Sequence, residues 1–231
     1  MKPTAKDRDA TELAQGLWIV PAFAAIGAVA GWLVKLLANW LVTLRWAPMK
    51  GPAELLNSIP EPWLTVIAVT AGLLLGVFVA FIALHEALTV RLTDTHVTLT
   101  IRDESRELSH ADLGPVFLDG KFLVLLGRHA QEMAREPCDL DAADLAAAFT
   151  AHGYTWAAVD PYKDDFRLWV PDTPGLPVGA NALMSARATA MRKTGTEEDV
   201  RALRGELNRL GLAVRDEKKR QYWRLPSGPS A

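Results

Sequence analysis

The stretch WLTVIAVTAGLLLGVFVAFIAL, Trp63 to Leu84, holds no charged residue. About 20 apolar helical residues cross the hydrocarbon core of a bilayer, so this stretch reads as a transmembrane helix. A second apolar run precedes it, from Leu17 to Leu44, interrupted by Lys35 with Asn39 one turn later. Leu17 to Val34 alone approaches spanning length, and the two spans are placed at about 17–41 and 63–84. Lys35 has two readings: its stem lets the ammonium snorkel to the headgroups, which its position near one end of the span favours, or it faces the second helix as a membrane-embedded charge. Trp18, Trp40, Trp46 and Trp63 lie near the helix ends, where amphipathic rings prefer the interface. Pro21 falls in the first turn, where its missing N–H costs little.

No small-residue cleavage site follows a short apolar core, and the first run continues past Lys35 into LLANWLVTL; it reads as a retained span. The connection from Arg45 to Pro62 is short and rich in proline and glycine, so the spans form an antiparallel hairpin with both termini on one side. Lys2, Lys6 and Arg8 outnumber Arg45 and Lys50 in the loop, which biases both termini toward the cytoplasm. Cys138 is the sole cysteine and forms no internal disulfide, in keeping with a reducing compartment. Each span carries a Gly-x-x-x-Gly step, Gly27 to Gly31 and Gly72 to Gly76. Such steps let helix backbones approach closely, either within the hairpin or in a homodimer.

The chain behind the hairpin has the length of one ordinary domain or two small ones. Its charge is uneven. Leu84 to Val178 holds 8 basic and 16 acidic residues, a balance of −8, and Gly179 to Ala231 holds 11 and 6, a balance of +5. Such asymmetry points to different partners for the two segments.

Leu88, Val90 and Leu92 alternate, and after TDTH so do Val97, Leu99 and Ile101, which predicts a β-hairpin. VFL and KFLVLLG flank Asp119-Gly120, a dipeptide suited to a tight hairpin turn, and QEMARE reads as a further strand. A helix follows from Asp141, its cap, to Gly153, with Leu145, Ala148, Phe149 and His152 on one face. The pattern implies a small curved sheet plugged by one helix. Beyond the loop YKDDFRLWVPDTPGLP, helices are predicted from about Asn181 to Lys193 and from Glu197 to Leu210. Thr196 caps the second, Glu197, Glu198 and Asp199 complement its dipole, and Val200, Leu203, Leu207 and Leu210 form its buried stripe. LAVRD and RQYWRL then alternate around Glu217-Lys218-Lys219 as a final hairpin. Leu212, Val214, Gln221, Trp223 and Leu225 point to one face of it, and Arg215, Arg220, Tyr222 and Arg224 to the other. The second face is basic with one aromatic ring, a combination that holds phosphates and stacks a base, or that merely keeps a hairpin soluble.

The C-terminal stretch SARATAMRKTGTEEDVRALRGELNRLGLAVRDEKKRQYWRLP resembles the small C-terminal module of bacterial cysteinyl-tRNA synthetases. The matching residues are Leu203, Arg204, Glu206, Leu207, Leu210, Gly211, Val214, Asp216, Trp223 and Arg224. The resemblance implies contact with the anticodon end of tRNA for Arg215, Arg220, Tyr222 and Arg224. The synthetase's HIGH and KMSKS signatures are missing, which excludes aminoacylation. Taken whole, the two spans, the acidic strand-rich region, DPYKDDFRLWVPDTPGLP and this tail resemble the YqeB family of bacterial membrane proteins. That resemblance implies a middle domain similar to a bacterial pleckstrin-homology (PH) domain, and implies no activity. Binding of phosphorylated lipid by that domain is disfavoured, since it needs clustered Lys and Arg and the segment has twice as many acids as bases. Its acidic surface is suited instead to docking on the basic module.

Catalytic constellations are absent. HEALTVR, from His85, lacks the second histidine of a zinc-protease motif, and the pair His85-Glu86 reads as an interfacial cap. His96, His110, His129 and His152 have no ligand spacing, so no metal is expected. No phosphate-binding glycine loop or G-x-S-x-G turn occurs, solvation accounts for Asp164-Asp165, and Asp139 disfavours a reactive thiolate at Cys138.

The sequence therefore predicts a non-enzymatic α+β membrane protein with no cofactor and no small-molecule substrate. Its expected parts are a tail (1–16), a transmembrane hairpin (17–86), a PH-like domain (87–155), a linker (156–180), a synthetase-like ααββ module (181–226) and a tail (227–231). The expected role is protein interaction or assembly at the bilayer, with an unidentified protein or a second copy as partner. The alternatives are membrane-tethered RNA binding through Arg215, Arg220, Tyr222 and Arg224, and contact of the same residues with anionic lipid.

Overall fold

A computed structural model describes residues 10–43, 60, 62–192, 195–218 and 220–226. The loop basic residues Arg45 and Lys50, Trp46, Lys193, Lys219, the N-terminal Lys2, Lys6 and Arg8, and the 227–231 tail lie outside the described residues. The chain forms two compact units. One takes in Ala14–Thr89 and Thr100–Glu104; the other takes in β1 (Thr11–Leu13), Val90–Leu99 and the chain from Ser105 onward.

The first unit is a pair of helices, α1 (Ile19–Thr43) and α2 (Trp63–Glu86). They run in opposite directions, because Phe23 and Gly27 meet Gly76, and Gly31 meets Ala68 and Gly72. The four glycines of the two Gly-x-x-x-Gly steps face one another. A Cβ on Gly27 would clash with the Gly72 carbonyl, one on Gly31 with that of Ala68, one on Gly72 with that of Gly27, and one on Gly76 with that of Phe23. Backbone contact this close is open only to residues without a side chain. Lys35 turns to the second helix, its Nζ donating to Thr65 Oγ1 at 2.5 Å. At the far end of α2, His85 O accepts from Arg102 N and Glu86 Oε1 accepts from Arg102 Nη2 at 2.7 Å. Glu86 thus has a charged partner in its own unit.

β2 (Thr89–Leu92), β3 (His96–Ile101) and β4 (Glu104–Ser109), most of whose residues belong to the second unit, form with β1 a sheet of order β1-β2-β3-β4. A second sheet has the order β5-β6-β7, from Leu113–Asp119, Phe122–Gly127 and Glu132–Pro137. Gly120 takes the positive φ of 63° that the Asp119-Gly120 turn demands. The helix α3 (Ala142–Ala151) is capped by the Asp141 carboxylate, which accepts from the amides of Ala143 and Asp144, and it buries Leu145, Ala148 and Phe149. The C-terminal sheet has the order β8-β10-β9, from Arg167–Leu168, Arg220–Arg224 and Ala213–Glu217. Packed on it are α4 (Ala180–Arg192) and α5 (Glu197–Arg209), around a core of Ala180, Met184, Leu207, Leu212, Val214 and Trp223. Thr196 and Asp199 form a reciprocal capping box at the start of α5.

Three elements were not foreseen from the sequence. β1 lies in the N-terminal segment and pairs antiparallel with β2, Thr11 opposite Leu92. β8 lies in the segment expected to be a linker, and Trp169 and Leu176 from that segment pack on the module core. β4 is the third, an exposed strand of charged residues at a sheet edge.

Candidate interaction surface

In an antiparallel pair, residues directly opposite each other share a face. The pairs Val214 with Trp223 and Asp216 with Gln221 therefore fall on one side of the C-terminal hairpin, and Ala213 with Arg224, Arg215 with Tyr222 and Glu217 with Arg220 on the other. The first side meets the helices through a buried polar network. Arg187 of α4 is 1% exposed and clamps Asp216 bidentately, Nη1 to Oδ1 and Nη2 to Oδ2, each at 2.6 Å. Its Nη1 also reaches Gln221 Oε1 at 2.8 Å, and Gln221 Nε2 donates to the Met184 carbonyl at 2.8 Å. Burial alone would raise the Asp216 carboxyl, but the hydrogen bonds and charge of Arg187, with those of Arg204, hold it below its ordinary value.

The second side of the hairpin carries the four residues assigned to RNA or partner binding, and the fold treats them differently. Arg220 is exposed and Tyr222 half-buried. Arg215 Nη2 lies 3.6 Å from Asp119 Oδ1. Arg224 is buried: Nη2 donates to the Ala130 carbonyl at 2.7 Å, and the guanidinium lies 4.7 Å from the Tyr162 ring centroid and 5.3 Å from that of Phe166. Its Nε and Nη1 have no hydrogen-bond partner among the described residues, and the two ring faces supply the electrostatic contact instead. Burial pushes the Arg224 guanidinium down from its ordinary value, opposed by Asp160, Tyr162, Asp165 and Glu132.

What covers this side is the sheet β5-β6-β7. Its pairings put Phe117, Asp119, Phe122, Val124, Leu126, Glu132 and Arg135 on one face. Phe117, Val124 and Leu126 form a buried cluster on which Ala157 and Tyr162 pack. Around the cluster the charges alternate. Arg204 of α5 reaches Glu132 at 3.3 Å, Asn208 Nδ2 donates to the same carboxylate at 3.1 Å, Arg201 is 4.0 Å from Glu136, and Arg135 holds Asp119 at 2.8 Å. The Arg204 and Glu132 side chains are only 11% and 7% exposed. Burial pushes the Glu136 carboxyl up, with Arg201 and Arg106 opposing and Glu132 adding to the rise. A cavity of about 10 Å³ remains between the two layers, room for about one water.

A second cluster, missed in the sequence, centres on His152. Its Nδ1 lies 2.8 Å from Asp94 Oδ1 and its Nε2 2.8 Å from Thr11 Oγ1, while Tyr154 donates to the Thr93 carbonyl at 2.7 Å and stacks on His110. The order Asp-His-Thr has the spacing of a proton relay. Here it joins three elements of one domain, β1, the β2–β3 turn and the end of α3, and none of its members lines the cavity between the layers. It fastens β1 to the sheet. No sequence motif marks it, because its members are 141 and 58 residues apart.

The order of elements from β1 through α3 coincides with residues 10–157, which match the family model described as the YqeB-like bacterial PH domain. This chain belongs to that family. Residues 173–224, from the segment ahead of α4 to the end of β10, match the cysteinyl-tRNA ligase anticodon binding domain. The chain is 37% identical over 209 residues to "Uncharacterized protein YqeB" of Bacillus subtilis (strain 168), covering 90% of this chain and 86% of the relative. No solved structure matches it significantly. The fold is thus two long apolar helices, a PH-like domain and an anticodon-binding-like module of mixed helix and sheet. Neither family indicates a catalytic activity.

Proposed function

We propose that the chain is a membrane-anchored, non-enzymatic protein whose PH-like domain (87–155) and C-terminal module (181–226) are presented together for protein interaction or assembly, with both termini in the cytoplasm. The observation that carries the anchor is the outward face of the helix pair. Over Ile19–Trp40 and Trp63–Glu86 mean hydropathy is 1.9 and 2.7, yet only 6% and 11% of the most apolar windows are buried. Leu33, Leu37, Leu74, Phe78 and Phe81 are among the side chains left exposed. An exposed apolar surface larger than a few hundred Å² is not stable in water, and a bilayer removes the cost. The PH-like and anticodon-binding-like modules support an interaction role. The test is photo-crosslinking in cells from exposed positions on α5 and β10, after alkaline extraction of membranes. Release of the chain by alkali sinks the anchor; a protein recovered only as a monomer with no cross-linked partner sinks the assembly role.

The match of residues 173–224 favours a second reading, RNA binding through the C-terminal hairpin, with Arg220 and Tyr222 as its accessible residues and Arg224 buried. Fluorescence anisotropy with bulk tRNA at physiological salt, comparing wild type with an Arg220→Ala/Tyr222→Ala variant, tests it. Equal binding by both, or none, counts against it.

A further inference from the structure

We infer that docking of the PH-like sheet and binding of a single-stranded chain of phosphates are mutually exclusive, because Asp119, Glu132 and Glu136 occupy within the chain the arginines that such a polyanion would need. The arginines form one patch. Arg201, Arg204 and Asn208 lie at i, i+3 and i+7 on α5, a single helical stripe, and they meet Glu136 and Glu132 of β7. Arg215 meets Asp119 at the end of β5. A carboxylate and a phosphate offer the guanidinium the same geometry of paired oxygen acceptors. The acidic sheet therefore holds the arginine patch as a phosphate backbone would.

Occupation at Arg204 is complete enough to exclude a competitor, whereas Arg201 keeps 60% and Arg215 29% of the side chain exposed. The Arg204–Glu132 pair is almost fully buried, the Phe117–Val124–Leu126 cluster closes the space behind it, and the remaining cavity of about 10 Å³ admits no nucleotide. Binding of a polyanion that engages Arg204 together with its neighbours requires the two layers to part. Apparent affinity is then the intrinsic affinity multiplied by the fraction of molecules in the open state, and the coupling is reciprocal: whatever favours opening favours binding by the same factor.

This inference stands apart from the identity of any protein partner, so failure to capture one leaves it untouched. The test uses the full chain in zwitterionic nanodiscs and a labelled single-stranded RNA oligonucleotide, read by anisotropy. Asp119→Asn/Glu132→Gln/Glu136→Gln leaves every arginine in place and removes the carboxylates of the PH-like sheet, while Arg204 keeps Asp216 at 3.1 Å. A charge-matched control, Asp103→Asn/Glu104→Gln/Asp112→Asn, alters exposed acids that pair with none of these arginines. The interface variant is expected to bind about tenfold or more tightly than wild type and control. Adding Arg204→Ala and Arg215→Ala should abolish the gain. No gain over the control, a gain that survives the arginine substitutions, or a gain for anionic vesicles without one for RNA overturns the inference. Should the interface variant not fold, RNA titrated into wild type at low salt must raise deuterium exchange in β7 and α5 together; unchanged or reduced exchange at saturation overturns it equally.

Discussion

Replacing Asp216 by alanine should unfold the C-terminal module more readily by about 3 kcal/mol, and the value follows from its partners. Both carboxylate oxygens accept from Arg187 at 2.6 Å, and Oδ2 also accepts from Arg204 Nη2 at 3.1 Å. Arg187 is 1% exposed, so Asp216→Ala leaves a buried guanidinium with Gln221 and the Val200 carbonyl as its remaining oxygen acceptors. Removing one partner of a buried pair costs about 3–5 kcal/mol. The Asp216 side chain keeps 33% of its surface exposed, which places the cost at the lower end. Trp169 and Trp223 in the module core report unfolding by their emission in the full chain held in mild detergent. Replacing both members, Arg187→Met with Asp216→Leu, removes the stranded charge and should recover most of the loss. Acid provides an independent check. The Asp216 carboxyl is held below its unfolded value, so its stabilisation is present above that value and disappears as pH falls through the lower, folded one. Wild type and Asp216→Ala should therefore converge on acidification. A neutral-pH penalty under about 1 kcal/mol, or a double variant as unstable as the single, would refute the role given to this pair.

Gly72→Val should separate the helix pair, since its side chain meets Gly27 O and the Gly31 backbone; faster deuterium exchange in both α1 and α2 is expected, while the C-terminal module is unaffected. His152→Ala removes the hydrogen bond to Thr11 of β1 and the one to Asp94 of the β2–β3 turn, and should cost about 1–2 kcal/mol, read as loss of exchange protection at Thr11–Leu13. Tyr154 is pushed up to about 12 by burial and then by the charge of Asp94, so alkaline absorbance titration should show one of the three tyrosines ionising last, a step that Tyr154→Phe removes. Because the folded value is the higher one, the associated stability is complete below the ordinary tyrosine range and is lost as pH rises through about 12.

The parts of the fold legible in the sequence are those governed by local physics. An uncharged stretch of spanning length, glycines four apart, Asp119-Gly120 at a turn, Asp141 and Thr196 at helix starts and the alternation of the last hairpin are each fixed by the residues within one element. The elements that escaped are created by tertiary pairing. Three residues, TEL, become β1 because β2 supplies an edge, and two, RL, become β8 because β10 does. β4 reads ESRELS, a poor strand by composition, and tolerates its charges by lying at an edge open to water. No local pattern marks Arg187, because its counter-charge is 29 residues further on, beyond the whole of α5.

The opposite charge balances of −8 and +5 in consecutive segments were visible at once, but a balance carries a sign and no address. The same arginines would suit a nucleic acid, an anionic leaflet or an acidic protein surface, and composition does not choose among partners in another molecule and one in the same chain. Geometry does, because a partner in the chain is present at an effective concentration no free ligand matches. Glu132 meeting Arg204 in a nearly dry contact, with Asp119 and Glu136 beside Arg215 and Arg201, makes the acidic sheet the first occupant of the basic face. Any outside ligand for that face must then be judged against this occupant: its affinity is the surplus left after the sheet has been displaced, while Arg220, exposed at the hairpin tip, is open to a ligand without that cost.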